Sequence, residues 1–198
     1  MDDLELHSDA LGKNLYELKI INKYLGGYNI TLKALNRLYK KGEIKGSFKL
    51  ADIGSGGGDM LKEMAIWSRK KGLKANLHGI DANQFMVDYA KNECKDFEEI
   101  QFFKKNVFDL SPLEDKYDVI TLNLFCHHFN ENELTEIFKK LSECCNYLII
   151  NDLERHPLAY YSIKYLTILF NGSYLVKNDA PLSVLRSFNR IELFTLLK

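Results

Sequence analysis

Leu50-Ala51-Asp52-Ile53-Gly54-Ser55-Gly56-Gly57-Gly58-Asp59 is the stretch that decides the fold. It follows an apolar run over 48–53 that predicts a β-strand, and it precedes a helical pattern over 60–71. The glycines leave this strand–loop–helix corner almost free of side chains, so a ligand can lie directly against the backbone. The sequence therefore predicts a ligand-binding loop at the carboxyl end of the first strand.

Three kinds of ligand-binding loop compete for this pattern. A phosphate-binding P-loop ends in Gly-Lys-Ser/Thr, whereas this loop ends in Gly58-Asp59-Met60. A dinucleotide fingerprint that starts at Gly54 needs a third glycine at position 59, where Asp59 instead places a carboxylate that repels phosphate. The third pattern is Asp-x-Gly-x-Gly-x-Gly, which favours a ligand with positive charge. The simplest alternative is a plain glycine-rich turn in which Asp59 only complements the helix dipole.

The third pattern resembles motif I of the class I methyltransferases that depend on S-adenosylmethionine (SAM). SAM carries an ammonium and a sulfonium and has no phosphate, so it suits an acidic loop. The resemblance covers residues 48–152 well and the N-terminal helices loosely. It implies SAM as the cofactor, and it implies loop contacts from Asp52, Gly54, Ser55, Gly56 and Gly58. Two alternatives remain open: a non-catalytic SAM-binding protein, and an NAD-type oxidoreductase on a related fold.

The bulk composition limits the other classes of function. The chain has 198 residues, 46% hydrophobic and 27% charged residues, and a formal net charge of zero. These values predict one globular domain and disfavour a general binder of nucleic acid or anionic membranes. The four cysteines form no Cys-x-x-Cys pair, and the acidic start does not resemble a signal peptide. We expect a cytoplasmic protein with a small-molecule substrate, and a homodimer is left open.

Strand and helix patterns alternate through the middle of the chain. This predicts a Rossmann-like α/β fold, with a doubly wound, mainly parallel sheet of about five strands. We expect an N-terminal helical cap over 1–45, a SAM-binding core over 46–152 and a helical segment over 153–198, all within a single domain. The predicted strands are 48–53, 75–81, 100–105, 117–124 and 147–152, and the predicted helices are 10–25, 31–41, 60–71, 83–91, 131–144, 157–170 and 181–197.

The pattern after residue 152 departs from the resembled family. A class I sheet usually continues into an antiparallel hairpin, and that terminal β-hairpin is missing here because the remaining segments read as helices. An uncovered sheet edge would invite pairing with another chain. We therefore expect a helix or a partner chain to cover the edge.

Ligands of open α/β sheets bind at the carboxyl ends of the strands, which selects further candidates. Asp81 and Ala82 end the second strand, where an acidic side chain can accept hydrogen bonds from both ribose hydroxyls. The alternative role for Asp81 is to cap the next helix. The resemblance also places Asn106 and Val107 at the adenine, with Asp109 as the alternative, and Asn123 beside the methionine moiety.

Methyl transfer to a phenol or alcohol needs a group that accepts the proton. The candidates are His127 and His128 after the fourth strand, with His156 after the fifth as a further one. Adjacent histidines cannot point in the same direction, so at most one of the pair is expected to face the pocket. No third ligand is spaced for a metal, and none is predicted.

The segment 152–161 resembles a subset of small-molecule methyltransferases, which implies an acceptor oxygen on a phenolic or polyketide-like compound. Tyr160, Tyr161, Tyr165 and Phe170 could line an aromatic pocket, although core packing of a helix on the sheet edge explains them better. No Asn-Pro-Pro-Tyr motif follows the fourth strand, which disfavours methylation of DNA bases or side-chain amides.

Overall fold

The computed structural model describes residues 27–111, 114, 116–169 and 181–197. Five strands form one sheet in the order β3-β2-β1-β4-β5, and every neighbouring pair is parallel. The strands are β1 (Ser47–Ile53), β2 (Lys74–Asp81), β3 (Ile100–Lys104), β4 (Tyr117–Asn123) and β5 (Cys145–Asn151). The chain order reverses between β1 and β4, which is the place where open α/β sheets bind ligands. The predicted fold class is confirmed.

Helices connect and cover these strands. They are α1 (Gly27–Lys40), α2 (Asp59–Lys70), α3 (Gln84–Glu93), α4 (Glu131–Cys144), α5 (Pro157–Leu169) and α6 (Arg190–Leu196), with a further helical segment over 181–186. Short 3-10 turns occupy Val107–Asp109 and Cys126–His128. None of the described helices is both long enough and apolar enough to cross a membrane.

The sheet separates two hydrophobic cores, one on each face. Helices α1, α2 and α3 pack on one face, around Leu35, Met64 and Val87. Helix α4 and the C-terminal residues Phe188 and Leu193 pack on the other. Because side chains of a strand alternate between faces, both faces of the central strands are buried. This explains the nearly continuous apolar runs that marked these strands in the sequence.

The C-terminal region differs from the prediction of one helix over 181–197. Helical structure stops after residue 186, and α6 starts at Arg190. Asn189 accepts a hydrogen bond from the Glu192 amide at 3.0 Å, while the Glu192 carboxylate accepts one from the Asn189 amide at 2.9 Å. This capping box starts a new helix, and the break lets Phe188 enter the second core, where it is 9% exposed.

Two further expectations change in the structure. The tyrosines of α5 were expected to pack as core, but Tyr161 and Tyr165 are 54% and 68% exposed because their face of the helix points to solvent. Strand β5 starts at Cys145, directly after α4, rather than at Tyr147. The predicted helix over 10–25, and Phe170, lie outside the described residues.

Candidate active site

The glycine loop joins β1 to α2 in a conformation that needs glycine. Gly54, Gly56 and Gly58 have φ values of 68°, 50° and 76°, in the left-handed region that other residues rarely adopt. The Gly54 and Ser55 amides both donate to the Ile80 carbonyl, at 2.8 and 3.3 Å. The loop is therefore fixed to the end of β2, beside Asp81.

Two of these glycines also allow close packing by neighbouring side chains. A Cβ atom on Gly54 would lie 2.5 Å from Cδ2 of Phe125. On Gly58 it would lie 2.7 Å from Cζ of Phe102 and 2.8 Å from Sγ of Cys94. The sequence assigned these glycines to a ligand, whereas the structure shows that Gly54 and Gly58 are also required by the packing of the protein itself.

Ser55 supplies a polar group to the loop. The side chain is buried, and its hydroxyl finds no hydrogen-bond partner within the described part of the chain. A buried hydroxyl without a partner is costly, and a polar ligand would remove that cost. This hydroxyl is an observation in favour of a polar ligand at the loop.

Asp81 connects the loop to the end of β2. Its Oδ2 accepts a hydrogen bond from the Gly56 amide at 3.0 Å, and its Oδ1 accepts one from the Asn83 amide at 2.9 Å. Burial raises the pKa of this carboxyl, and the backbone hydrogen bonds and the nearby His128 partly oppose that rise. A carboxylate has about four acceptor positions, so acceptor capacity remains for a ligand hydroxyl.

The alternative role for Asp81, as the cap of the following helix, belongs to another residue. The side chain of Asn83 accepts from the Phe85 amide at 2.8 Å and caps α3. Ala82 lies between the two polar residues and is half-buried.

Asp52 lies beneath the loop in a buried polar network. Its Oδ1 accepts hydrogen bonds from the Thr121 hydroxyl at 2.7 Å and from the Asn123 amide at 2.8 Å. The Asn123 oxygen in turn accepts from the Thr31 hydroxyl at 2.5 Å. Burial raises the pKa of Asp52 to about 7. The predicted residues Asp52 and Asn123 are thus brought together, and both bond to protein groups.

Helix α1 is attached to this network and to the loop. Tyr28 donates a hydrogen bond from its hydroxyl to the Asp59 carboxylate. Asn151 donates from its side chain to the Gly27 carbonyl at 2.9 Å. Sequence patterns predicted a helical cap near the pocket, but the spacing of residues held no signal for these particular contacts.

The predicted adenine corner follows β3. Asn106 accepts a hydrogen bond from the Phe108 amide at 3.2 Å and thereby caps the 3-10 turn. Val107 is buried, and the alternative candidate Asp109 is exposed. The amide of Lys105 donates to the Asp81 carbonyl at 3.0 Å, which places this corner next to the end of β2.

The corner after β4 carries both predicted catalytic histidines. Leu124 has a φ of 52°, a left-handed conformation that is unusual for a bulky residue. Strained conformations of this kind cluster at functional sites. His127 is buried and His128 is exposed, with ring centroids 4.2 Å apart. The two rings lie against each other and both residues line the cavity described below, which contradicts the expectation that at most one of them would face the pocket.

Asp152 holds this corner from the end of β5. Its Oδ1 lies 2.7 Å from Nδ1 of His127, and its Oδ2 accepts from the Cys126 and His127 amides at 2.6 and 3.3 Å. The pairing of His127 with Asp152 was not predicted from the sequence, in which the two residues lie 25 positions apart. The adjacency of parallel strand ends was the signal that could have joined them.

A cavity of about 490 Å³ opens beside this corner. Its lining includes His127, His128, Phe129, Glu131, Arg186 and Phe188. The lining of this cavity combines aromatic rings, the Arg186 guanidinium, the Glu131 carboxylate and a buried imidazole. Among the described residues, no three His, Cys, Asp or Glu side chains are grouped as metal ligands.

Comparisons with known proteins relate this arrangement to a family. Residues 50–147 match the family model described as a methyltransferase domain. The sequence matches no curated protein.

Solved structures share the fold. The plantazolicin methyltransferase BpumL in complex with SAH is 22% identical, with a TM-score of 0.67 over 96% of this chain and 69% of that one. Magnesium protoporphyrin IX methyltransferase (ChlM) from Synechocystis PCC 6803, with bound SAM, is 17% identical, with a TM-score of 0.51 over 74% of this chain and 64% of that one. A structure from echinomycin biosynthesis is 19% identical, with a TM-score of 0.58, over 83% and 66% of the two chains. The chain spans about two thirds of the length of these structures, and at such identities the likeness shows the fold alone.

Proposed function

We propose that this chain transfers a methyl group from SAM to a small-molecule acceptor. The chain belongs to the class I SAM-dependent methyltransferases, and residues 50–147 match the model of a methyltransferase domain. The enzyme class follows from the family, and the acceptor atom is the proposed part. The acceptor atom we propose is an oxygen of a phenolic or polyketide-like compound.

One observation carries the proposal for the cofactor. The Gly56 amide lies 3.0 Å from the Asp81 carboxylate, so the bare backbone loop and the acidic strand end meet at one point. A ligand there would contact glycine backbone on one side and a carboxylate on the other. This combination suits a ribose with two hydroxyls attached to a cationic group, and it does not suit a diphosphate.

The residues present fit SAM. Asp81 and Ala82 would hold the ribose, and Asn106 and Val107 would hold the adenine. The Ser55 hydroxyl, which has no hydrogen-bond partner within the described part of the chain, is available to a polar group of the same ligand. When bound, SAM supplies a methyl group that its sulfonium has already activated for displacement. The protein then has to bind, orient and exclude water.

The position of Asp59 argues against the alternative of an NAD-type oxidoreductase. A diphosphate would need the first turn of α2, where Asp59 is the first residue. There its carboxylate accepts the hydrogen bond of Tyr28, and α1 lies over it. A second carboxylate, Asp81, bounds the same loop. Both would repel a diphosphate.

The cavity beside His127 is the proposed acceptor site. Phe129 and Phe188 offer aromatic surface, and His127 offers a ring nitrogen for the proton of an acceptor hydroxyl. BpumL structures contain desmethylPZN analogs, and ChlM is named for a porphyrin, so folds of this type accept natural products. These neighbours support a small-molecule acceptor, and the choice of oxygen rests on His127.

Calorimetry with SAM tests the cofactor site directly. Asp81→Ala should weaken SAM binding by about 1–3 kcal/mol, because charge-assisted hydrogen bonds to the ribose are lost. Asp88→Ala is the matched control, since Asp88 is an exposed aspartate on α3 that accepts a hydrogen bond from the Gln84 side chain at 2.9 Å. Equal SAM affinity in the two variants would refute the ribose role of Asp81. Binding of NADH in place of SAM would overturn the proposed function.

A further inference from the structure

We propose that Asp152 is a positioning residue that holds His127 as the Nδ1–H tautomer and so makes Nε2 of His127 the proton acceptor of the cavity. The chemical role of this nitrogen rests on the proposed methyl transfer to an oxygen. The tautomer itself follows from the contacts of the pair and does not depend on that function.

The pair is buried and tightly held. The side chains of His127 and Asp152 are 6% and 3% exposed, and the Nδ1–Oδ1 distance is 2.7 Å. Besides Nδ1, the carboxylate accepts three backbone amides, from Cys126, His127 and Leu153, at 2.6, 3.3 and 2.7 Å. These four donors use the acceptor positions of a carboxylate, which fixes its orientation.

This orientation determines which nitrogen carries the proton. An ionised carboxylate only accepts hydrogen bonds, so Nδ1 of His127 must donate. In a neutral imidazole the other nitrogen is then unprotonated and can accept. Nε2 of His127 makes no hydrogen bond within the part of the chain that the structure describes, and the residue lines the cavity. Its lone pair is therefore available to a bound molecule.

The neighbouring groups are less suited to this role. His128 also lines the cavity, but its side chain is exposed, whereas His127 is buried and lies 2.7 Å from Asp152. Burial and the charge of Asp152 raise the pKa of the Cys126 thiol, so it stays protonated. His156 is exposed and accepts the Leu158 amide at 3.2 Å.

The proton balance of the step is simple. The acceptor O–H proton moves to Nε2 of His127, the oxygen forms a bond to the methyl carbon, and the carbon–sulfur bond breaks with its electron pair left on sulfur. His127 becomes an imidazolium that donates through both nitrogens, and the Asp152 carboxylate stabilises its charge. Release of the Nε2 proton to water restores the neutral ring.

The tautomer can be measured without an acceptor. Nitrogen-15 NMR of the histidine rings distinguishes Nδ1–H from Nε2–H, and His127→Gln identifies the signal. We expect His127 to be the Nδ1–H form in the wild type. In Asp152→Asn the carboxamide can keep its oxygen on the Cys126 and His127 amides and turn its NH₂ group to Nδ1, which forces the Nε2–H form. The Leu153 amide, which bonds the oxygen that faces Nδ1, then loses its acceptor. His128 should not change.

A control variant separates positioning from simple loss of a structural hydrogen bond. Asp118 near the opposite end of β4 accepts the Lys49 amide at 2.8 Å, so Asp118→Asn makes the same side-chain change at a backbone-bonded aspartate far from the cavity. It should leave the His127 tautomer unchanged. An Nε2–H form in the wild type, or one unchanged tautomer in wild type and Asp152→Asn, would overturn the proposal even if SAM binds normally.

Turnover adds a second readout with two probe acceptors. Phenol keeps its proton at neutral pH, whereas 4-nitrophenol is partly ionised and depends less on a base. Asp152→Asn should lower kcat for phenol by about 100-fold, the order of a general-base contribution, and lower kcat for 4-nitrophenol much less. The KM for SAM should be the same in Asp152→Asn and in the wild type. Equal losses on the two acceptors would contradict the role of His127 Nε2.

Discussion

Replacing Gly54 by alanine tests how the glycine loop is built. Two costs add at this position. A left-handed conformation costs a non-glycine residue about 1–2 kcal/mol, and the φ of Gly54 is 68°. The new Cβ atom would also lie 2.5 Å from Cδ2 of Phe125, far inside the usual contact distance of about 3.5–4.0 Å. Forced overpacking of this kind costs typically about 1–3 kcal/mol.

Gly72→Ala provides a matched control. Gly72 has a φ of 67°, nearly that of Gly54, but a Cβ there meets nothing within 4 Å. The free energy of unfolding of this variant should fall only by the cost of the left-handed conformation, about 1–2 kcal/mol. Gly54→Ala should lose about 2–5 kcal/mol, the sum of both parts. The difference between the two variants isolates the contact with Phe125.

Urea unfolding measures both free energies. Trp67 is the only tryptophan of the chain and is 9% exposed in the first core, so its fluorescence reports on unfolding. A double variant completes the test, because Gly54→Ala should cost less in a Phe125→Ala background. The packing argument would be refuted if Gly54→Ala and Gly72→Ala lowered the free energy of unfolding equally. It would also be refuted if Gly54→Ala cost as much in the Phe125→Ala background as in the wild type.

Two further predictions concern groups around the loop. Tyr28→Phe should lower the free energy of unfolding by about 1.5–3 kcal/mol, because a hydrogen bond to the Asp59 carboxylate is lost. Tyr39→Phe on the same helix is the control. If urea unfolding shows the same decrease in the free energy of unfolding for both variants, the Tyr28 hydrogen bond contributes nothing. The pKa of Asp52 is about 7 in the folded protein, and its ordinary value is 3.8. Between these pH values the folded state binds more protons than the unfolded state. The free energy of unfolding should therefore fall as the pH rises from about 4 to about 7. Asp52→Asn should remove that part of the slope, and an identical pH profile of unfolding in both proteins would argue against a raised pKa.

The strand and helix pattern could be read from the sequence because it depends on local periodicity. Phe48–Ile53 and Tyr117–Leu124 are mainly apolar runs, as expected of strands buried on both faces of a sheet. The structure places β1 and β4 side by side in the interior of the sheet. The prediction of one helix over 181–197 was wrong. The apolar periodicity continues through this range, but the capping box of Asn189 and Glu192 starts a separate helix at Arg190. The break between the two helices allows Phe188 to be buried in the second core, a contact that the local sequence pattern does not show.

The candidate site was predictable to the extent that parallel strands end together. Asp81, Asn106, Asn123 and His127 were all selected as residues at strand ends, and the structure brings these ends to one edge. The partners of each side chain were not predictable, since Asp152 lies 25 residues from His127 and Thr31 lies 92 residues from Asn123. Sequence spacing carries no signal for contacts at such separations.

The sequence by itself thus determined the fold class, the glycine loop and the acidic character of its rim, because backbone conformation and charge are properties of local residue type. Only the tertiary structure decided which glycines are needed for packing, which histidine is buried and which carboxylate orients it. The physical reason is that burial and hydrogen-bond partners depend on strand order and on the helices that cover each face, and neither is encoded within a short stretch of the chain.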